Sequence, residues 1–557
     1  MGYRIQPPQI KEPLLNIAFP ITGDRGLTGM IWQGDEACVC FSDEDLRRAL
    51  RQLDKPLWAV EDGNRLGLAL GGIACPQADG LSILGFAPAL PPENLGDQGF
   101  CKTYRTRYAY YAGAMANGIS SEELVIALGK SGFMGSFGAG GLSPSRIEAA
   151  IHKIQAALPK GPYAFNLLNS PNEPALEQRA VELYLEHGIR VIEASAYLAM
   201  TGSLVQYRAA GLSQSADGQV VIGNHIIAKL SRLEMAQRFL DPAPADLLEA
   251  LLTAGKITPL QAELARKIPM VDDVTVEADS GGHTDNRPLV CMIPAFLALR
   301  DQMQAKYQYA QPVRIGAAGG IGTPEAALAA FTLGAAYIVT VSVNQACVES
   351  GASEHTKNLL SQMDMADVAM APAGDMFEMG VKVQVLKRGS MFAMRAQKLY
   401  ELYTRYNSWE EIPLPERDKL EKTVFRRDFA SIWDDTVKFF MERDPRQVER
   451  GNANPKDKMA LVFRWYLGLS SRWSANGEKG REMDYQIWCG PSMGAFNRWT
   501  RGTYLEAPQN RHVVDVAEHI LRGCATLYRV RALETQGVVF PPEVGRYIPS
   551  QDFASQN

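Results

Sequence analysis

The segment Val276–Leu289, VEADSGGHTDNRPL, sets one of the chain's seven histidines behind two glycines at the end of a strand-like run. Paired glycines let another group approach the backbone closely, and an imidazole beside them can exchange a proton near neutral pH. For Ser280, Gly281, Gly282 and His283 taken alone, a surface turn with an ordinary histidine is the simpler reading. A second glycine run, Gly319-Gly320-Ile321-Gly322, stands between the strand-like VRIGAA and a helix start at Thr323-Pro324. Backbone amides in such a turn, next to a helix N-terminus, suit a phosphate. Ser342 could add a hydroxyl to the same phosphate, whereas a turn needed only for packing is the alternative.

These residues need elements to hold them, and the chain supplies a regular series. From Arg107 onward, apolar strand-like runs alternate with amphipathic helical ones. The strands read RYAYYAG, FMGSFGAG, YAFNLL, RVIEASAY, HIIAKL, DVTVEAD, VRIGAAGG and YIVTVSV. Between them lie helices such as SSEELVIALGKSG and TPEAALAAFTLG, opening on Ser or Thr and closing on Gly. Alternation of this kind implies a parallel sheet, and eight strands are the number that closes a (β/α)₈ TIM barrel. A doubly wound open sheet is the competing α/β architecture.

Three parts are expected. Residues 1–100 form a small α+β domain and linker, and residues 101–350 form the barrel, with an insertion at 231–270 between its fifth and sixth strands. Residues 351–557 form a helical C-terminal extension whose aromatic stripes read as core, or as a homodimer surface.

A barrel keeps its site at the carboxyl ends of its strands. Gly113, Ala114, Met115 and Ala116 follow the first strand, and Asn166 falls in the third. Glu193 and Lys229, near the ends of the fourth and fifth, would tune charge there or form a buried or rim ion pair. Small residues crowd these ends, so a flat ligand could lie against backbone.

Composition narrows the field. A hydrophobic share of 46 %, a charged share of 21 % and a net charge of −5 are ordinary for a globular protein. That charge leaves no basic footprint for nucleic acid or an anionic membrane. The start MGYRIQPPQI lacks signal-peptide features, and no apolar run approaches the roughly 20 residues of a membrane span. A cytoplasmic protein is expected. The eight cysteines show no zinc-like spacing, so no metal is expected either.

Three segments, AGAMANGIS…SGFMGSFGAGGLSP, EADSGGH and GAAGGIGTPEAALAAFTLGA, stand in order at strand ends. Together they resemble the nitronate monooxygenase and flavin enoyl-reductase superfamily. With YLAMTGSLVQYRAAGL, APAGDMFEMGVKVQVLKRGSMFAMRAQKLYELY and YQIWCGPSMGAFNRW, the chain resembles its PfaD-type trans-acting enoyl reductases of polyunsaturated fatty acid and polyketide synthases. The resemblance reaches about Arg546 and is weakest over residues 1–80. It departs from the simpler members in GAMA, where Pro often precedes Met, and in Val341-Ser342, where Gly-Thr is common.

The resemblance implies an FMN flavoprotein reduced by NADPH, less readily by NADH. Hydride would pass by way of FMN N5 to the β-carbon of an enoyl thioester on acyl carrier protein. The flavin ring would rest on Gly113–Ala116, with Asn166 at its edge or ribityl chain. Gly282 or its neighbours Ser280 and Gly281, together with Gly319, Gly320, Ile321 and Ser342, would hold its phosphate. His283 matches the active-site histidine, as proton donor or carbonyl polariser. Lys387, Arg388 and Arg395 are candidates for docking an acidic carrier protein, against the plainer reading of a solvated charged face. Two rivals remain open at this level: a nitronate monooxygenase-type oxidase, and a non-catalytic FMN-binding subunit of a synthase.

Overall fold

A computed structural model of the chain describes residues 29–551 except 77, 78, 170 and 172. The Met1 segment, from which the absence of a leader is read, lies outside the described residues.

The expected strand runs form the barrel. They are β1 (Tyr110–Ala112), β2 (Met134–Phe137), β3 (Ala164–Leu168), β4 (Val191–Ser195), β5 (His225–Leu230), β6 (Asp273–Glu277), β7 (Arg314–Ala318) and β8 (Ile338–Thr340). All pair in parallel with their sequence neighbours, and β8 closes on β1, with Thr340 opposite Ala112. Strands buried on both faces explain why these runs are apolar rather than alternating.

Polar groups inside the barrel satisfy one another. Thr275 on β6 shares hydroxyl contacts with Tyr337 at 2.8 Å and with Tyr111 at 3.3 Å. Asp273, fully buried, takes both ends of the Arg314 guanidinium at 2.6 and 2.7 Å. The barrel is therefore a filled core that presents its chemistry only at the open end.

Helix starts fall where the sequence signals them. Ser121, Ser143 and Thr323 each accept a backbone N–H of the helix they precede. The insertion holds three helices rather than two: Leu233–Leu240, Ala245–Thr253 and Pro259–Ala265. Its second helical stretch breaks at Gly255, and Thr258 with Gln261 forms a capping box that starts the third.

The part expected to be a helical tail opens with the helix Glu354–Ser361 but then holds a β-hairpin, Val368–Pro372 and Lys382–Leu386, joined by the two-residue strand Gly282–His283. Contacts group residues 93–521 into one unit that includes the barrel and most of this tail. The described residues up to Pro92 form a second unit together with Arg522–Tyr547. That unit is an antiparallel six-stranded sheet with the helix Asp43–Arg51. The sheet and one helix leave apolar surface to cover. Val530, Leu533, Val538, Phe540 and Val544 complete the core around Leu46, Ala49 and Leu50. Arg522–Tyr547 thus groups with the N-terminal sheet, a division that differs from three consecutive parts.

Candidate functional site

A cavity of about 1750 Å³ opens over the carboxyl ends of the barrel strands. Its floor is the β1 loop Ala114–Asn117 with Gly140 and Gly141, and its far wall is Gly281–Asp285. Two helices of the tail, Phe429–Arg443 and Pro455–Asn476, contribute to its lining from above. Ties between floor and roof are polar. Asn117 Nδ2 donates to Ser471 Oγ at 3.0 Å, and Arg443 pairs with Glu173 at 2.7 Å.

The floor is held from beneath. The Gly113 amide donates to Thr340 O at 3.0 Å, the Ala114 amide to Glu193 Oε2 at 2.8 Å, and the Met115 amide to Ser120 Oγ at 2.9 Å. Glu193 is fully buried. Its other oxygen, Oε1, has no hydrogen bond but lies 3.5 Å from Lys229 Nζ, which also meets Glu277 Oε1 at 2.9 Å. Burial works against the Lys229 ammonium, yet the two carboxylates outweigh it and raise its pKa above the usual lysine value. A fixed positive charge therefore reaches the cavity lining. Asn166 Nδ2 donates to Glu193 O and Ser195 Oγ, each at 3.0 Å, and its side chain also faces the cavity.

His283 stands in the far wall, opposite Val383 on the hairpin strand. Gly282 precedes it at φ +79°, a left-handed conformation that other residues adopt only with strain. A Cβ on Gly281 would lie 2.6 Å from the Cys489 backbone, so a side chain there would displace the tail. Gln384 donates to Asp279 Oδ1 and Ser280 O, both at 2.8 Å, and fixes the approach to the histidine.

His283 Nε2 lies 3.2 Å from Asp375 Oδ1. Both side chains sit deep below the surrounding surface yet line the open cavity, so about a third of the histidine side chain, 33 %, remains accessible. Burial lowers the histidine's pKa, but Asp375 and then Glu277 more than reverse this, leaving it above the ordinary value. The histidine in turn holds Asp375 below the usual aspartate range, against burial. An ionised Asp375 accepts from Nε2–H, which leaves Nδ1 of the imidazolium as the free donor. Arg464 of the roof helix anchors the aspartate's loop through Gly374 O at 3.0 Å.

Asp375→Asn removes the charge that raises the histidine. If His283 supplies a proton, activity falls as pH rises through its pKa, and the variant's falling limb must move to lower pH. A pH–rate series checks this, and superimposable profiles would contradict it.

Ala114, Met115, Ala116, Asn166, Lys229, Gly281, Gly282, His283 and Ser342 are thus gathered on one cavity. Gly113, Glu193 and Ser280 support it from behind. Gly319, Gly320 and Ile321 are not on its lining: Gly320 is exposed, and Ile321 is buried. Ser342 Oγ accepts the Gly490 amide at 3.0 Å, leaving its own hydroxyl proton to offer. The docking candidates stand apart from the cavity lining, Arg395 paired with Asp484 and Arg388 with Asp367. Asp375 and Arg464 are functional candidates that strand-end reasoning does not reach. The only hint to the first is its place in APAGDMFEMG.

Comparison with known proteins adds relatives to this geometry. The nitronate monooxygenase family model matches residues 102–401, more than half of the chain. The fatty acid synthase subunit PfaD N-terminal domain matches 32–89, and the inserted helical domain of acyl-carrier-protein S-malonyltransferase matches 406–485. One of the polyunsaturated fatty acid synthase subunits of Thraustochytrium sp. is 48% identical over 88% of this chain and 33% of its own length. Polyketide biosynthesis protein PksE of Bacillus subtilis is 48% identical over 79% of this chain and 57% of its own. The chain therefore spans between a third and three-fifths of these two relatives. The crystal structure of the enoyl reductase domain of MlnA, from the macrolactin biosynthesis cluster of Bacillus amyloliquefaciens, is 41% identical. It aligns over 80% of this chain and 100% of that one, with a TM-score of 0.76.

Proposed function

Because the chain belongs to the nitronate monooxygenase family and carries a PfaD-type N-terminal domain, we propose that it is an FMN-dependent enoyl reductase serving a polyunsaturated fatty acid or polyketide synthase. Its substrate would be an enoyl thioester borne on acyl carrier protein, with NADPH as reductant. The observation that carries this reading is the His283–Asp375 pair facing a roofed cavity above the strand-end loop Ala114–Asn117.

The residues present fit FMN. The run Ala114–Ala116 would offer a ring surface, and Asn166 and the Lys229 ammonium line the same cavity. Ser342 has a hydroxyl proton free for a phosphate oxygen. When bound, FMN supplies the hydride-transfer chemistry that no side chain here can provide.

The remaining work falls to the chain. His283, whose protonated form Asp375 favours, delivers a proton to the substrate's α-carbon or polarises its thioester carbonyl. The same histidine in a nitronate oxidase would act as base, a task that a carboxylate favouring its protonated form does not assist. The roof helices line the cavity above the floor, where an extended acyl–pantetheine arm would enter. Arg238, Arg287 and Lys382 are exposed cations on the lining, suited to the phosphate of that arm and to an acidic carrier.

Turnover with NADPH and crotonyl thioester, on pantetheine and on carrier protein, tests the proposal by mass analysis of the product. The expected product is the butyryl thioester, with a lower KM for the carrier-borne substrate. Consumption of nitroalkane and oxygen, without any thioester reduction, would assign the oxidase chemistry instead.

A further inference from the structure

Outside the barrel wall, away from the cavity, two histidines and a glutamate converge. Glu148 and His152 are four residues apart on the helix Pro144–Ala157, so they share one face. His187 ends the next barrel helix, Pro174–Glu186, as its C-cap. The position of His187 is set from both sides. Its backbone amide donates to Leu183 O at 3.0 Å, and Gln155 of the first helix donates to its carbonyl at 2.8 Å. His187 Nε2 is shielded from solvent and makes no aligned hydrogen bond, although Glu148 Oε1 is 3.3 Å away. The His152 ring stands edge-on to it, with ring centroids 5.0 Å apart.

From this arrangement the geometry assigns a divalent metal site, with zinc the best-suited ion, bound by Glu148, His152 and His187. The donor atoms of the three lie within 4.8 Å of one another. Zinc bonds of about 2.0–2.1 Å in a tetrahedron place adjacent ligand atoms roughly 3.4 Å apart. The Glu148–His187 edge already has that separation. His152 is exposed and closes the remaining gap by rotating its side chain. Imidazole and carboxylate together favour zinc over magnesium or calcium, which prefer all-oxygen shells. Three protein ligands leave the fourth position to water. The ion would join two consecutive barrel helices that the Gln155 hydrogen bond already links.

The test is calorimetric titration of zinc into the chelator-treated full-length protein, alongside the His152→Ala and Glu148→Gln variants. His152 is exposed, so its loss does not threaten folding. Wild-type protein is expected to take up one zinc ion per chain and to melt at a higher temperature with zinc present. Each variant is expected to bind at least roughly tenfold more weakly, with the melting shift lost. His283→Ala, at the distant cavity, should bind zinc as the wild type does. Absence of saturable binding, or one-site binding that survives His152→Ala, would overturn the assignment.

Discussion

Replacing His283 with alanine is expected to slow enoyl-thioester reduction by about 10²–10⁴-fold, the usual contribution of a positioned proton donor. NADPH-dependent bleaching of the bound flavin should proceed at close to the wild-type rate. The split follows from where the side chain stands. His283 lies in the far wall of the cavity, paired with Asp375, and takes no part in holding the floor on which the ring would rest. Its removal therefore takes away a proton and a hydrogen-bond donor while leaving the floor's contacts with Thr340, Glu193 and Ser120 in place. Stopped-flow measurement of the two half-reactions checks the prediction. Equal slowing of both would mean that the histidine shapes the flavin site rather than serving the acyl substrate.

Lys229→Met is expected to destabilise the fold by about 3–5 kcal/mol, the cost of removing one partner from a buried ion pair. It should also weaken flavin retention. Lys229 stands between Glu193 and Glu277 at the centre of the barrel mouth. Without it the fully buried Glu193 keeps only the Ala114 amide, and its charge is uncompensated. Methionine matches the length of the stem but brings no charge. Adding Glu193→Gln should recover part of the loss, because it removes the stranded carboxylate. Urea unfolding of the single and double variants reads both effects. A midpoint unchanged in the single variant would show that the lysine charge is dispensable.

The barrel was legible because its signal is local. Each strand run is a short apolar stretch bounded by Gly or by a capped helix, and the count of eight implies closure. The histidine loop was legible for a related reason, since Gly281-Gly282-His283 falls directly after a strand. Other features depend on partners far along the chain. Asp375 meets the histidine from 92 residues away, on a hairpin whose strands lie in a stretch of helical composition. The close packing at Gly281 is decided by Cys489. The return of Arg522–Tyr547 to the N-terminal sheet rests on apolar positions that read equally well as tail core. The glycine run at 319–322, a motif that suggests phosphate, is absent from the cavity lining, whereas Ser342 is on it.

The central claim is that this cavity reduces an enoyl thioester, and an anaerobic flavin titration tests it most directly. The purified protein should show a flavin spectrum that NADPH bleaches and that a crotonyl thioester on pantetheine or carrier protein then restores in the absence of oxygen. A bleached spectrum that recovers only when oxygen is admitted would contradict the claim and place the protein among the oxidases of its family.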